Sequence, residues 1–292
     1  MKKRSISDIV IAIFLILCGL LCLIPIVNTL AISFSDKSSV AQGLVGLIPV
    51  NFNLASYKAM LADNQFWRSF GISVLRVILG TSLNVLMCIM MGYPLSKSEK
   101  VFKQKKYYMW IIIFTMLFSG GMIPTFMVIK NLHLLDTIWA LVLPMAVPVF
   151  YVIVQMNFFK AVPDALEESA FLDGASPWTI LWKIYVPLSK PAIATITLFS
   201  AVNHWNSFFD GKIYINSLSK MPLQTYIQSL SAEVNMSTMA NMNAEDLINR
   251  MAMSSLTFNS AKVIVSIIPI LLIYPYLQKY FVSGMVMGAV KE

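Results

Sequence analysis

Charged residues are scarce in this chain. Asp, Glu, Lys and Arg make up 12% of its 292 residues, whereas soluble domains carry about 25%. Hydrophobic residues make up 58%, and most of them lie in long uninterrupted runs, not on one face of a periodic pattern. Runs of about 20 apolar residues can cross the hydrocarbon core of a bilayer. The composition therefore excludes an ordinary soluble domain and predicts a membrane protein with several spans.

Residues that could hold a metal or form a disulfide are also few. The three cysteines, Cys18, Cys22 and Cys88, lie inside apolar runs without ligand-type spacing, so we expect small buried hydrophobic side chains. The two histidines, His133 and His204, are far apart, and neither belongs to an H-E-x-x-H pattern. We expect no metal site, and an intramembrane enzyme would need a spatial partner for one of these histidines.

The sequence lacks its own source of energy for transport. Its one Gly-Lys pair, Gly211-Lys212, is followed by Ile213 and has no upstream glycine, so it is not a P-loop. No Asp or Glu lies inside the predicted spans, whereas an ion-coupled carrier usually needs such a group at mid-membrane. We expect no cofactor in this chain and an energy source in a separate protein.

The apolar runs predict six membrane-spanning helices and an all-α fold. The predicted spans cover residues 9–31, 70–93, 107–129, 139–159, 192–209 and 263–281. Gly120, Gly121 and Pro124 interrupt the third span, and the paired prolines Pro144 and Pro148 are expected to bend the fourth.

Basic residues indicate which segments face the cytoplasm. Three of the first four residues are basic, and residues 97–106 carry five lysines against one glutamate. The first apolar run is too long for a signal peptide and lacks its cleavage pattern, so we expect an uncleaved span. Both termini are therefore predicted to be cytoplasmic. The net charge of +8 then serves orientation, and no nucleic acid is expected as a partner.

The predicted outer side has two notable features. Arg76 lies near the outer end of the second span, where we expect its long side chain to snorkel to the interface. Residues 211–260 form the longest outer segment, and residues 245–254 within it can form an amphipathic helix.

A polar stretch between the fourth and fifth spans, residues 163–191, begins with strong helix signals. Asp164 follows Pro163 and stands three residues before Glu167, which predicts an N-cap with a reciprocal cap. Residues 165–173 should form a short helix, and Gly174 stands where a left-handed residue is favoured.

A second short helix is predicted directly after this turn. Ser176 is expected as its N-cap and Pro177 as its first residue, while Pro187 and Pro191 should end it. Two helices joined by a tight turn form a rigid projection between two spans, which favours a docking function.

The same stretch resembles the cytoplasmic loop of importer-type ABC permeases, whose pattern is E-A-A-x3-G-x9-I-x-L-P. Every spacing is matched, with conservative departures at Ser169 and Val186, by Glu168, Ser169, Ala170, Gly174, Ile184, Val186 and Pro187. Residues 46–60, 118–144 and 280–291 also resemble carbohydrate-type permeases, in particular the oligosaccharide subgroup. The chain is similar to the maltose system's smaller permease over nearly its whole length.

This resemblance implies one permease domain of a type I ABC importer, residues 1–292, in the bacterial inner membrane. It implies a heterodimer with a second permease, two ATPase subunits that bind ATP and Mg, an external solute-binding protein and a carbohydrate substrate. In such proteins the loop is a coupling-helix pair seated on the ATPase, and the permease performs no covalent chemistry. The coupling residues it implies are Glu168, Ser169, Ala170, Asp173, Gly174, Ala175, Trp178, Ile184 and Pro187. Glu168 would supply a charged contact, and Ala170, Ala175 and Trp178 would pack on the ATPase.

The outer end of the fifth span is the predicted sugar path. Trp205 offers an aromatic face to a pyranose, and Asn203, His204, Asn206 and Asp210 offer hydrogen-bonding groups. Tryptophan near a span end can instead be an interface anchor.

Two other transport functions stay open. One is an ABC importer permease for a non-sugar solute, such as an amino acid or a peptide. The other is an ion-coupled secondary transporter, which would need no partner on residues 163–191.

Overall fold

The computed structural model describes residues 6–231 and 256–289. In that part of the chain every regular element is helical, which agrees with the expected all-α fold. The amphipathic helix predicted at residues 245–254 lies outside the described residues.

Two helices are long and apolar enough to cross a membrane as single elements. In chain order, the first four helices are α1 (Ile6–Ser33), α2 (Lys37–Ala41), α3 (Ala55–Ala62) and α4 (Asn64–Ser96). The two long ones are α4 and the stretch Val10–Ser33 of α1. The predicted spans at residues 9–31 and 70–93 fall inside them.

The next apolar segments are bent helix pairs. Helices α5 (Lys105–Leu117) and α6 (Met122–Asn131) meet at 114°. Helix α7 (Trp139–Val142), extended by a 3-10 turn to Met145, meets α8 (Val149–Lys160) at 50°. Both breaks fall where glycine and proline interrupt the sequence, which confirms the predicted interruptions.

The break residues explain these bends. Gly121, with φ of 87°, precedes the first residue of α6 in a conformation that favours glycine. Pro148 precedes the first residue of α8 in an extended conformation, and proline has no amide hydrogen to continue a helical ladder.

A short helical pair then leads to the last apolar helices. It consists of α9 (Asp164–Leu172), α10 (Pro177–Ile180), a π-helical segment (Leu181–Tyr185) and α11 (Val186–Leu188). The chain continues in α12 (Lys190–Asn206), α13 (Phe209–Tyr214), α14 (Leu223–Ser231) and α15 (Leu256–Ala289). The segment Pro177–Leu188 meets α12 at 79°. The fifth predicted span, residues 192–209, starts two residues after the first residue of α12 and ends three residues after its last residue, Asn206.

Length and composition alone give the described residues two spans, or up to five if each bent pair counts as one. Helix α15 contributes a shorter apolar stretch, Leu256–Leu272.

The chain separates into two compact units. The first consists of Met1–Trp67 and Tyr226–Pro269, and the second of Arg68–Thr225 and Ile270–Glu292. In the first unit Phe34 stacks on Tyr57 with ring centroids 4.9 Å apart. This stacking folds the segment after α1 back on the end of that helix.

Two clusters of buried side chains organise the second unit. The first joins α4, α5, α8 and α12 through Cys88, Leu95, Ile112, Val152, Met156 and Ile196. The second joins α4 and α8 to the short helical pair through Ile89, Phe159, Val162, Ile180, Leu181 and Tyr185. The helical pair is therefore anchored in a core of its own and is not a loose loop.

The cysteines do not all occupy the expected environment. Cys88 is buried as predicted, but Cys18 is half-buried and Cys22 is exposed. The prediction was wrong for Cys22 because no residue in the most apolar window of α1 is buried.

Candidate functional site

The short helical pair, residues 163–188, forms a projection that we call the helical knob. Its tip is a Schellman turn: Gly174 donates its amide to the Phe171 carbonyl (3.0 Å), and Ala175 donates to the Ala170 carbonyl (2.9 Å). Gly174 has φ of 80°, in the left-handed region that favours glycine. The predicted turn at Gly174 is thereby confirmed.

The second helix of the knob starts as predicted. Ser176 is the N-cap, and its hydroxyl accepts a hydrogen bond from the Thr179 amide (3.3 Å). Pro177 is the first helical residue. The corner that follows at Ser189 lies between Pro187 and Pro191, the two prolines expected to end the helix.

The start of α9 differs from the prediction. Pro163 occupies the N-cap position and no side chain caps the helix, so the capping role predicted for Asp164 was wrong. Asp164 is instead the first helical residue, where a negative charge complements the helix dipole. Glu167 does not reach back to the cap, because Lys97 and Tyr185 bind its carboxylate.

Large apolar side chains are exposed around the tip of the knob. Leu172 is 90% exposed and Trp178 is 57% exposed. Three further apolar side chains of the knob are also exposed: Leu166, Phe171 and Trp182. An exposed apolar patch on a rigid, charged helical element is typical of an interaction surface.

The predicted coupling residues divide into two groups. The exposed ones are Glu168, Ser169, Asp173, Gly174, Trp178 and Pro187. The half-buried ones, which pack against the knob's own buried cluster, are Ala170, Ala175 and Ile184. Sequence reasoning missed Phe171, Leu172 and Trp182. The position of Phe171 and Leu172 beside the predicted turn glycine could have indicated the first two.

A polar cluster lies at the base of the knob. Lys97, directly after α4, donates from Nζ to Glu167 Oε2 (2.6 Å) and to the Tyr185 hydroxyl oxygen (2.9 Å). The Tyr185 hydroxyl donates to the same Glu167 oxygen (2.5 Å). Burial and the adjacent Glu167 carboxylate raise the pKa of Tyr185, so the phenol keeps its proton. Burial lowers the pKa of Lys97, and the hydrogen bond to Glu167 opposes that shift.

A cavity of about 480 Å³ lies in the second unit, near the end of α12. Its lining residues are Asn84, Thr115, Met116, Met145, Val147, Pro148, Val149, Phe150, Tyr151, Asn203 and His204. We call it the solute cavity. Asn203 donates its amide to the Tyr151 hydroxyl (2.8 Å), and the Tyr151 ring stacks on Phe199 with centroids 6.3 Å apart.

His204 is the least satisfied polar residue of the solute cavity. It is 2% exposed, and neither of its ring nitrogens has a hydrogen-bond partner among the described residues. Its imidazole lies against Gly80 of α4, where any Cβ would overlap the ring. Asn84, in the orientation that satisfies its neighbours, donates to the Met145 carbonyl (3.0 Å) and accepts from the Ser200 hydroxyl (3.0 Å). One nitrogen of an unpaired neutral imidazole can accept a hydrogen bond from a solute hydroxyl, and the other can donate one to it.

The structure brings only part of the predicted sugar path together. Asn203 and His204 line the solute cavity. Trp205 is buried and packs edge-to-face on Phe70, with centroids 5.7 Å apart, while Asn206 is exposed. Neither of these two lines the cavity, and Tyr151 and Asn84, which do, were missed because they are distant in sequence.

Asp210 forms an ion pair with Arg76. The Arg76 guanidinium binds both carboxylate oxygens of Asp210 and also donates to the Ser207 carbonyl (3.2 Å). Arg76 is 0% exposed, so the prediction that it snorkels to the interface was wrong. The ion pair with Asp210, which is 134 positions away in the sequence, offsets part of the free-energy cost of burying the Arg76 charge.

Comparisons with known proteins agree on one family. The profile of the family described as "Binding-protein-dependent transport system inner membrane component" matches residues 4–287. The chain is 37% identical over 289 residues to the polygalacturonan/rhamnogalacturonan transport system permease protein YtcP of Bacillus subtilis (strain 168), with 99% of each chain covered. It is 39% identical over 290 residues to Protein LplC of the same organism, covering 99% of this chain and 96% of that protein.

A chain of one solved structure matches at a similar sequence identity. The crystal structure of a bacterial ABC transporter involved in the import of the acidic polysaccharide alginate has a chain that is 34% identical, with a TM-score of 0.84. The match covers 96% of this chain and 100% of that chain. A chain in the alginate transporter complex with a pentasaccharide-bound periplasmic protein shares the fold, with 16% identity and a TM-score of 0.52 over 93% of each chain.

Proposed function

Since the chain belongs to the family of binding-protein-dependent transport system inner membrane components, we propose that it is a permease subunit of an ABC importer for an oligosaccharide. The observation that carries the proposal is the likeness to a chain of the alginate importer, which extends over 96% of this chain. The relative named for polygalacturonan and rhamnogalacturonan transport supports a saccharide substrate. A non-sugar solute has weaker support, from a relative named for sn-glycerol-3-phosphate transport that is 24% identical over 294 residues.

The subunit acts with partners. A second, related permease completes the translocation path, two ATPase subunits bind and hydrolyse ATP with Mg, and an external binding protein delivers the sugar. This chain holds no cofactor and performs no covalent chemistry. The extracytoplasmic partner is supported by the binding-protein-dependent character of the family.

The membrane topology follows from the apolar helices. Residues 1–292 form one permease domain with six spans in the bacterial cytoplasmic membrane. The spans are supplied by α1, α4, the bent pair of α5 and α6, the bent pair of α7 and α8, α12 and α15. Both termini and the helical knob face the cytoplasm. The proposal is supported by the five lysines that directly follow α4.

The helical knob docks on the ATPase. Its contact set is Glu168, Ser169, Asp173, Gly174, Trp178 and Pro187, and Leu172 and Phe171 join it at the tip. Ala170, Ala175 and Ile184 hold the tip in shape. The proposal is supported by the motif spacing and by the exposed apolar patch.

The solute cavity contributes to the sugar path. Tyr151 offers a ring face, and Asn84, Asn203 and His204 offer hydrogen-bonding groups for hydroxyls, a mixture that suits a carbohydrate. Trp205 and Asp210 support the cavity from outside its lining, through the packing of Trp205 on Phe70 and the ion pair of Asp210 with Arg76. Asn206, which is exposed, stays a candidate contact at the end of α12.

The experiment is purification of the tagged chain from its native membrane, followed by ATPase and uptake assays in proteoliposomes. We expect an ATPase to co-purify and to be stimulated by the sugar-loaded binding protein. Leu172→Asp should lose the ATPase. Leu132→Asp should keep it, because this matched change is at an exposed leucine (62%) at the end of α6, which faces the outside in the proposed topology. A chain that purifies without an ATPase and moves solute on an ion gradient would refute the proposal and favour a secondary transporter.

A further inference from the structure

One lysine binds several elements together at the base of the helical knob. Lys97 follows the last residue of α4, its ammonium binds Glu167 of α9 and Tyr185 of the π-helical segment, and its carbonyl accepts a hydrogen bond from Lys105, the first residue of α5 (2.5 Å). Four elements of the second unit therefore meet at a single residue.

Aromatic rings enclose this ammonium group. Lys97 Nζ lies 4.1 Å from the ring centroid of Tyr93 and 4.0 Å from that of Tyr185. The two rings pack edge-to-face with centroids 5.0 Å apart, and Phe159 packs on Tyr185 at 5.6 Å. Cation–π contacts and charge-assisted hydrogen bonds both depend on geometry, so they fix orientation as well as distance.

The π-helical segment is what brings Tyr185 into this cluster. A π turn inserts about one extra residue, and each residue of a helix turns the side-chain direction by about 100°. A regular helix from Pro177 would therefore direct position 185 away from Glu167 and Lys97. Such segments are rare and frequently lie at functional sites.

We propose that Lys97, Glu167 and Tyr185 form a transmission strut, which makes the helical knob and the adjacent end of α4 move as one rigid body. The inference rests on the proposed function, in which an ATPase moves the knob. Apolar packing resists compression but resists sliding or separation only weakly. The strut adds directed bonds that transmit pull as well as push from the knob to α4.

The strut is distinct from the docking surface. Glu167 and Lys97 have side chains only 15% and 11% exposed, whereas Glu168 is exposed. The two adjacent glutamates thus have different proposed roles: Glu168 contacts the ATPase, and Glu167 binds the knob to the end of α4. The three strut residues are positioning residues, and their loss should separate ATP hydrolysis from transport without undocking the ATPase.

The test uses the assembled importer in proteoliposomes, with variants Glu167→Gln, Tyr185→Phe and Lys97→Met. We measure ATPase co-purification, basal ATP hydrolysis, hydrolysis stimulated by the sugar-loaded binding protein, and uptake. We expect normal co-purification and basal hydrolysis, with stimulation and uptake lowered about five-fold or more. Lys97→Arg, which keeps the charge and the ring contacts, should retain most of the stimulation. Glu99→Gln, at an exposed carboxylate on the same basic segment, is the matched control.

The outcomes separate this inference from the proposed function. Variants that dock, stimulate and transport like the wild type would overturn the strut alone. Variants that lose basal hydrolysis and co-purification together would also overturn it, because the cluster would then only stabilise the knob. A wild-type chain that carries no ATPase would instead overturn the proposed function.

Discussion

Replacing Asp210 with asparagine is expected to destabilise the protein strongly. Arg76 is fully buried, and the change leaves its guanidinium without a counter-charge. The amide of an asparagine can still accept from the Gly211 amide and the Ser207 hydroxyl, which both bind Asp210 at 2.8 Å. The change removes the charge and also the acceptor of Arg76 Nη2, because an amide nitrogen takes the place of Oδ2. Removing one partner of a buried ion pair costs about 3–5 kcal/mol.

Removing both charges of the Arg76–Asp210 pair is expected to restore part of the lost stability. Arg76→Met combined with Asp210→Asn removes both charges, and replacing a buried pair by apolar groups is often nearly neutral. We therefore expect the double variant to be more stable than Asp210→Asn alone.

The assay is thermal unfolding of the purified subunit in detergent, followed by loss of the monodisperse peak in size-exclusion chromatography. Asp210→Asn should lower the midpoint by at least about 5 °C, scaled from a cost of about 3 kcal/mol. Lys220→Met is the control, because the Lys220 side chain in its pair with Asp136 is 54% exposed and such pairs contribute about 0–1 kcal/mol. A double variant less stable than Asp210→Asn would refute the argument.

Three further outcomes are expected. Gly174→Ala strains the left-handed turn by about 1–2 kcal/mol and should weaken ATPase co-purification, measured on the purified complex, more than a Gly43→Ala change at another left-handed glycine. Gly80→Ala should displace the His204 ring and lower uptake at unchanged ATPase docking, measured in proteoliposomes. Asp136 has a pKa held below its usual 3.8 by Lys220 and Ser217. The difference in unfolding midpoint between wild type and Asp136→Asn should therefore stay constant from pH 8 to about 4 and shrink only below that.

The helical knob could be predicted because its signals are local. A turn glycine, a serine N-cap and a proline at the next position act within a few residues, and the structure reproduces the turn at Gly174 and the start at Pro177. The capping role of Asp164 failed for a non-local reason. Lys97, 70 positions from Glu167 along the chain, holds the carboxylate that a reciprocal cap would have used.

Only part of the lining of the solute cavity could be predicted from the sequence. The adjacent positions of Asn203 to Asn206 suggest one shared site, but successive side chains of a helix point to different sides. Asn203 and His204 therefore line the cavity while Trp205 is turned into the packing against Phe70. The phenol of Tyr151, 52 positions away, is the hydrogen-bond partner that periodicity could not supply.

The placement of charge limits what the solute cavity can recognise. Among the described residues that line it, none carries a fixed charge. The nearby Arg76 is occupied by Asp210. A sugar carboxylate in the cavity would lose its hydration without gaining an ionic partner, which costs free energy. Sugar hydroxyls, in contrast, can form hydrogen bonds with the amides and the phenol, and sugar ring faces can pack on the apolar side chains. Under the proposed function, the cavity therefore favours the uncharged faces of a saccharide. If the solute is acidic, as it is for the alginate importer, the proposed second permease or the proposed binding protein has to recognise its carboxylates.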